Sequence, residues 1–66
     1  MKFNELDVVK TKKPFPKHDI TKGEIGTIVA AFSYPNEAYE VEFTDNCGRA
    51  KAMIVILPEE LDKYEH

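Results

Sequence analysis

Apolar and polar side chains alternate along short stretches of this chain. The clearest stretch places Tyr39, Val41 and Phe43 at every second position, with Glu40 and Glu42 between them. Successive side chains of a β-strand point to opposite faces, so this period of two predicts a half-buried strand. The three apolar residues are expected to face a core and the two glutamates to face outward.

Turn-forming residues separate this strand from several others. The predicted elements are strands over Asp7–Thr11, Thr27–Phe32, Ala38–Phe43 and Ala50–Leu57, a helical or 3-10 turn over Pro58–Leu61, and a short last strand around Leu61–Tyr64. Pro14 and Pro16 remove backbone donors, so Lys12–Lys22 is predicted to be a long loop. Gly23 and Gly26 are interpreted as turn glycines with positive φ at the start of a bent strand.

The short strands predict one fold class. No window of a dozen residues keeps helical spacing of apolar side chains without an interrupting Gly or Pro. Short strands have unpaired edges, and curling into a small barrel is the usual way to protect them. We therefore predict an all-β fold: a small SH3-like barrel of four to five antiparallel strands, with a short 3-10 turn near the C-terminus, forming a single domain over residues 1–66.

The fourth strand is apolar on both faces. One face would carry Ala52, Ile54 and Ile56, and the other Met53, Val55 and Leu57. Such a strand needs a cover on its outside. The N-terminal segment with Phe3 and Leu6 is one candidate cover, and a partner protein or a second copy is the other. We predict a protein-binding surface at Met53, Ile54 and Val55, whichever face outward, together with Phe15.

Composition narrows the function classes. The chain has 66 residues, of which 42% are hydrophobic and 32% charged, which is typical of a globular domain. Only one cysteine is present, and the N-terminus has no long apolar run, so a cytoplasmic location without membrane insertion is expected. The net charge of −3 argues mildly against general nucleic-acid binding.

Charge is nevertheless distributed unevenly. Residues 1–22 carry six lysines and three acids, a net +3, whereas residues 23–66 carry three basic residues and nine acids, a net −6. The lysines of the first loop surround an aromatic ring, a combination that can bind phosphates and stack on a base. The alternative prediction is a nucleic-acid site at Lys10, Lys12, Lys13, Phe15, Lys17 and Lys22.

Catalytic chemistry is weakly represented. Cys47 lies in a predicted turn with no histidine near it in the chain, and His18 stands alone in the lysine-rich loop. Neither belongs to a triad or to a set of ligands at zinc spacing. A barrel of this size also has little room for a substrate pocket. The sequence therefore predicts no enzyme, no cofactor or metal, and no small-molecule substrate.

Several segments resemble a bacterial family called domain of unknown function 4926. The similar segments are Asn4–Val9, Pro16–His18, Lys22–Val29, Ala38–Phe43 and Leu57–Pro58. The most specific part is the Gly-x-x-Gly-Thr run that leads into the Tyr-Glu-Val-Glu-Phe strand. Related openings occur in other SH3-like barrels, including KOW-type domains. The chain departs from the usual pattern in its lysine-rich loop and in Asp19.

The resemblance implies no catalytic residues. A small bacterial domain of this kind often acts beside a neighbouring gene product, so an antitoxin-like or immunity-like role is an expectation from the class. The leading hypothesis is a non-catalytic protein-binding module, with a homodimer as one form of partnership.

Overall fold

The computed structural model describes residues 1–65 of the chain. Its elements are β1 (Val8–Thr11), a 3-10 turn (Pro16–His18), β2 (Ile25–Phe32), β3 (Ala38–Thr44), β4 (Ala50–Ile56), a second 3-10 turn (Pro58–Glu60) and β5 (Leu61–Lys63). Within these residues, none of the helical segments has the length and apolar character that a membrane crossing requires.

The five strands form one antiparallel sheet in the order β4-β3-β2-β1-β5. Strands β1 to β4 pair with their neighbours in the chain, and β5 returns to pair with β1. This confirms the predicted all-β class, with five strands and a 3-10 turn before the last of them. The arrangement is compatible with an SH3-like barrel. Strands β4 and β5 are the two edge strands of the sheet.

Gly26 is part of a strand and not of a turn. It pairs with Val9 in the ladder between β1 and β2, and β2 begins at Ile25, two residues before the predicted start. Only Gly23 and Gly48 have positive φ among the described glycines, so that expectation was wrong for Gly26. What requires glycine at position 26 is space, because a Cβ there would lie 2.7 Å from Cγ1 of Val41.

The loop between β1 and β2 is folded back on the core. Pro16 starts a 3-10 turn that the sequence did not predict, and a proline suits this position because no hydrogen bond is needed from its nitrogen. Just outside the turn, the backbone N–H of Phe15 donates to the carbonyl of Ile20 at 2.8 Å, and the reverse bond measures 3.2 Å. Ile20 is buried in the core, which holds the loop against the sheet.

Thr11 closes the base of this loop. It is the one buried residue of the polar and charged types in the described chain, and its hydroxyl donates to the carbonyl of Thr21 at 2.9 Å. The same oxygen accepts the N–H groups of Gly23 at 3.0 Å and Glu24 at 3.2 Å. These three hydrogen bonds offset the cost of removing the hydroxyl from water, and they fix the path of the chain from β1 into β2.

Tyr39 anchors the N-terminal segment. Its ring is buried and meets the ring of Phe3 edge to face, with the centroids 5.3 Å apart. Its hydroxyl accepts the N–H of Phe3 at 3.0 Å and donates to the carboxylate of Glu37. Burial and this carboxylate raise the pKa of Tyr39, while the hydroxyl group holds the pKa of Glu37 below its usual 4.5.

Substitution of Gly26 by alanine is expected to destabilise the fold by about 1–3 kcal/mol, the usual cost of overpacking a core. The added methyl would press on Val41 and on the ring of Phe43, both buried. Urea unfolding followed by circular dichroism measures the change. Gly48→Asn is the matched control, because position 48 has open space and asparagine tolerates its positive φ. Equal stability of Gly26→Ala and wild type would contradict the packing argument.

Removing the hydroxyl of Tyr39 by Tyr39→Phe is expected to cost about 1–3 kcal/mol, since the buried N–H of Phe3 loses its acceptor. The loss should depend on pH through Glu37. A carboxyl whose pKa is lowered by folding stabilises fully above its unfolded value of 4.5, and this contribution disappears as the pH falls through the folded pKa. Urea unfolding at pH 7 and at pH 3 tests this: the difference between the two proteins should shrink in acid. A difference that grows in acid would contradict the assigned bond.

Candidate functional site

The outer side of β4 carries a row of exposed apolar side chains. Met53 and Val55 are 51% and 59% exposed, and Leu57, directly after the strand, is also exposed. Between them, Ile54 and Ile56 point inward and are buried. The three exposed apolar residues occupy alternate positions along β4 and its continuation, so they share one side, unlike the single apolar residues scattered on most surfaces.

Ile54 must be removed from the predicted binding residues. It lies opposite Val41, whose side chain belongs to the core, and the two therefore share the inner face of the sheet. The sequence could not distinguish the two sides of this strand because both were apolar. The register between β3 and β4 determines which side of β4 faces the core, since a shift of one residue would exchange the two faces.

The N-terminal segment does not cover the row. Phe3 enters the core against Tyr39, on the inner side of the sheet. Leu6 is exposed, with φ of 72° and its N–H bonded to the carbonyl of Ile28 on β2. The suggestion that these two residues shield the outside of β4 was therefore wrong, and Met53 and Val55 remain open to solvent.

Two aromatic residues that the sequence did not indicate extend the patch. Phe32 at the end of β2 and Tyr34 in the following turn are exposed and line a shallow pocket of about 300 Å³ together with Val55 and Leu57. We call the set Phe32, Tyr34, Met53, Val55 and Leu57 the β4 face. The turn itself contains a cis peptide bond between Tyr34 and Pro35.

A β-bulge explains why Phe32 points outward. Strict alternation from the buried Ile28 would turn Phe32 toward the core. The register instead shifts between Ile28 and Ala30, so that Ala30 pairs with Glu40 and Phe32 with Ala38. An extra residue in one strand reverses the side on which later residues lie. The signal in the sequence was the doubled apolar pair at 28–29, which marks the place where the alternation breaks.

Two carboxylates lie beside the β4 face. Glu42 is directly opposite Met53, and Glu40 is directly opposite Val55, each on the outer side of β3. Both are half-buried, and the ion pairs found in the described part of the chain include neither. Directly opposite residues have Cβ atoms only about 4.5–5.5 Å apart. Anything that covers Met53 and Val55 therefore also meets two negative charges.

The lysine-rich loop is partly neutralised by acids from the C-terminal part of the chain. Nζ of Lys12 lies 3.5 Å from the carboxylate of Asp62, and Nζ of Lys13 lies 3.0 Å from that of Glu60. Burial raises the pKa of Glu60, but the N–H of Leu57 and the ammonium of Lys13 outweigh it, so the pKa lies below 4.5. At neutral pH the carboxylate partner of Lys13 is therefore ionised.

Phe15 is held by the fold and does not project from it. Its ring is half-buried and packs against the core cluster, with Nζ of Lys13 at 5.4 Å from the ring centroid. Lys10, Lys17 and Lys22 are exposed and lie on β1, on the first 3-10 turn and in the turn before β2, respectively. The structure thus brings Lys13, Phe15 and Lys17 together around one shallow pocket of about 290 Å³, whereas Lys10 and Lys22 do not line it.

The thiol and the imidazole considered for catalysis are both exposed and lie on different parts of the chain. Cys47 lies in the turn between β3 and β4, where its N–H donates to the carboxylate of Asp45 at 2.8 Å. His18 ends the first 3-10 turn. Among residues 1–65, no three His, Cys, Asp or Glu side chains are grouped as metal ligands would be.

Comparison with known proteins places the chain in a family. No curated protein and no solved structure matches it significantly. The family model described as domain of unknown function, DUF4926, matches residues 5–63, which includes all five strands and the β4 face. The chain belongs to the family of domain of unknown function 4926.

Proposed function

We propose that this protein is a non-catalytic binding module that docks another protein on its β4 face. One observation carries the proposal: five large apolar side chains are exposed together on and beside an edge strand. Small folded domains gain stability by burying such groups, and a patch of this kind marks an interaction surface. Aromatic residues and Met, which are enriched at the centres of interfaces, make up three of the five.

The chemistry of the face favours protein over nucleic acid. Its polar neighbours are Glu40 and Glu42, which repel phosphate. The alternative site in the lysine-rich loop has two of its lysines in ion pairs and its aromatic ring packed against the core. A basic patch that binds a phosphate backbone has to give up such internal partners first, which weakens the interaction.

A different protein suits the face better than a second copy. In a two-fold symmetric contact the same patch meets itself. Face-to-face docking of two copies would bring the carboxylates of Glu40 and Glu42 toward their own duplicates, and burying like charges is unfavourable.

We include a cytoplasmic location in the proposal, because the single cysteine implies no structural disulfide.

The double substitution Met53→Asp and Val55→Asp is expected to reduce recovery of the partner at least tenfold, since charges would lie at the centre of the interface. The measurement is affinity purification of the tagged chain from its native cells after nuclease treatment, with proteins quantified by mass spectrometry. The fold should survive, because both side chains are exposed.

Leu6→Asp is the matched control for this experiment. Leu6 is also an exposed apolar residue, but it lies next to β2, and aspartate tolerates its positive φ. A partner that is retained by Leu6→Asp and lost by the double variant supports the proposal. Recovery that is insensitive to the β4 face, or that is lost only in Lys17→Glu with Lys22→Glu, would overturn it. In the latter case the function would belong to the lysine-rich loop.

A further inference from the structure

The backbone of β4 is open on one side. The strand pairs with β3 only, and none of the backbone hydrogen bonds outside the strand ladders of the described chain involves Ala50–Ile56. In an edge strand, every second residue directs its N–H and C=O away from the neighbouring strand. These groups form a template on which another strand can pair.

This edge lacks the features that usually prevent such pairing. Protected edges carry proline, charged side chains or a bulge within the exposed stretch. Strand β4 contains no proline, and the irregularity in its register lies at its start, opposite Phe43 and Thr44. Its only charged residue is Lys51, whose ammonium lies 3.1 Å from the carboxylate of Glu24 and is engaged there. The part from Ala52 to Ile56 is entirely apolar.

The unpaired carboxylates define what the added strand must carry. A strand that pairs with β4 lies about 4.8 Å from it and about 9.6 Å from β3. The aliphatic stems of Lys and Arg can lie along Met53 and Val55 and place their charged ends near Glu40 and Glu42. Without these cations the partner would remove water from two carboxylates and leave them without compensation.

We infer that the partner of the β4 face is an extended segment of another protein, which adds a strand to the open edge of β4 and carries Lys or Arg among its apolar residues. The inference rests on the proposed function and specifies the partner of the same surface. Backbone hydrogen bonds would supply affinity, and the alternating apolar and cationic side chains would supply specificity. A second copy that pairs through its own β4 does not meet this description, because β4 has no cation to offer except the engaged Lys51.

The test uses a displayed library of random twelve-residue peptides, selected on the immobilised full-length protein. Selected peptides are expected to alternate apolar residues with Lys or Arg and to lose at least tenfold in affinity when Glu40 and Glu42 are both replaced by lysine. When the double variant Glu40→Lys with Glu42→Lys is itself used for selection, it should enrich peptides rich in Asp or Glu. Glu5→Lys with Glu59→Lys is the matched control: it changes the net charge equally at two exposed acids outside the β4 face and should leave affinity within twofold.

Backbone pairing is tested on the best synthetic peptide. Two versions of the peptide are made, one methylated at the odd-numbered and one at the even-numbered backbone nitrogens. One version should lose binding and the other should bind nearly as well as the unmodified peptide, because only alternate amides of the peptide donate to β4. Equal tolerance of both methylated forms would overturn the added strand. Failure to enrich any peptide would also overturn it.

Two further outcomes separate this inference from the proposed function. If selected peptides are apolar without cations, and still depend on Met53 and Val55, the inferred partner chemistry is wrong while the binding face stands. If selected peptides bind equally well to the double variant Met53→Asp with Val55→Asp, both the inference and the proposed function are wrong.

Discussion

The inner row of β3 is the constraint on which the rest of the structure depends. Tyr39, Val41 and Phe43 are fully buried, and β3 pairs with both β2 and β4. Once these three side chains face the core, the register of both neighbouring ladders determines which of their residues are exposed. The space left by Gly26 admits Val41 and Phe43, and the hydroxyl of Tyr39 secures the N-terminal segment. The same row thus organises both the core and the outer surface.

The β4 face follows from this row and from two departures from regularity. The bulge in β2 turns Phe32 outward, and β4 keeps apolar side chains on its outer side where solvent-facing strands normally alternate with polar ones. Glu40 and Glu42 lie outward for the same reason that Tyr39 and Val41 lie inward. The acidic and apolar parts of the surface are therefore products of a single register, which is why they adjoin so closely.

Much of the fold could be predicted because its signals were local. The alternation in β3, the glycine and proline turns and the Pro58 turn before β5 each depend on residues close in the chain. The candidate site could be predicted only in part. Met53 and Val55 were identified, but Ile54 was grouped with them, and Phe32 and Tyr34 were missed. The pairing of Lys12 and Lys13 with Asp62 and Glu60 joins segments about fifty residues apart, and no local pattern indicates it.

By itself the sequence determined the strand class, the approximate position of each strand, the inward row of β3 and the doubly apolar character of β4, because periodicity and backbone preferences act within a few residues. Only the tertiary structure decided which side of β4 is exposed, that Phe32 lies on that side, that the N-terminal segment enters the core, and which lysines are neutralised. Each of these depends on the register between strands, and register is a property of pairing between distant segments that a single strand does not contain.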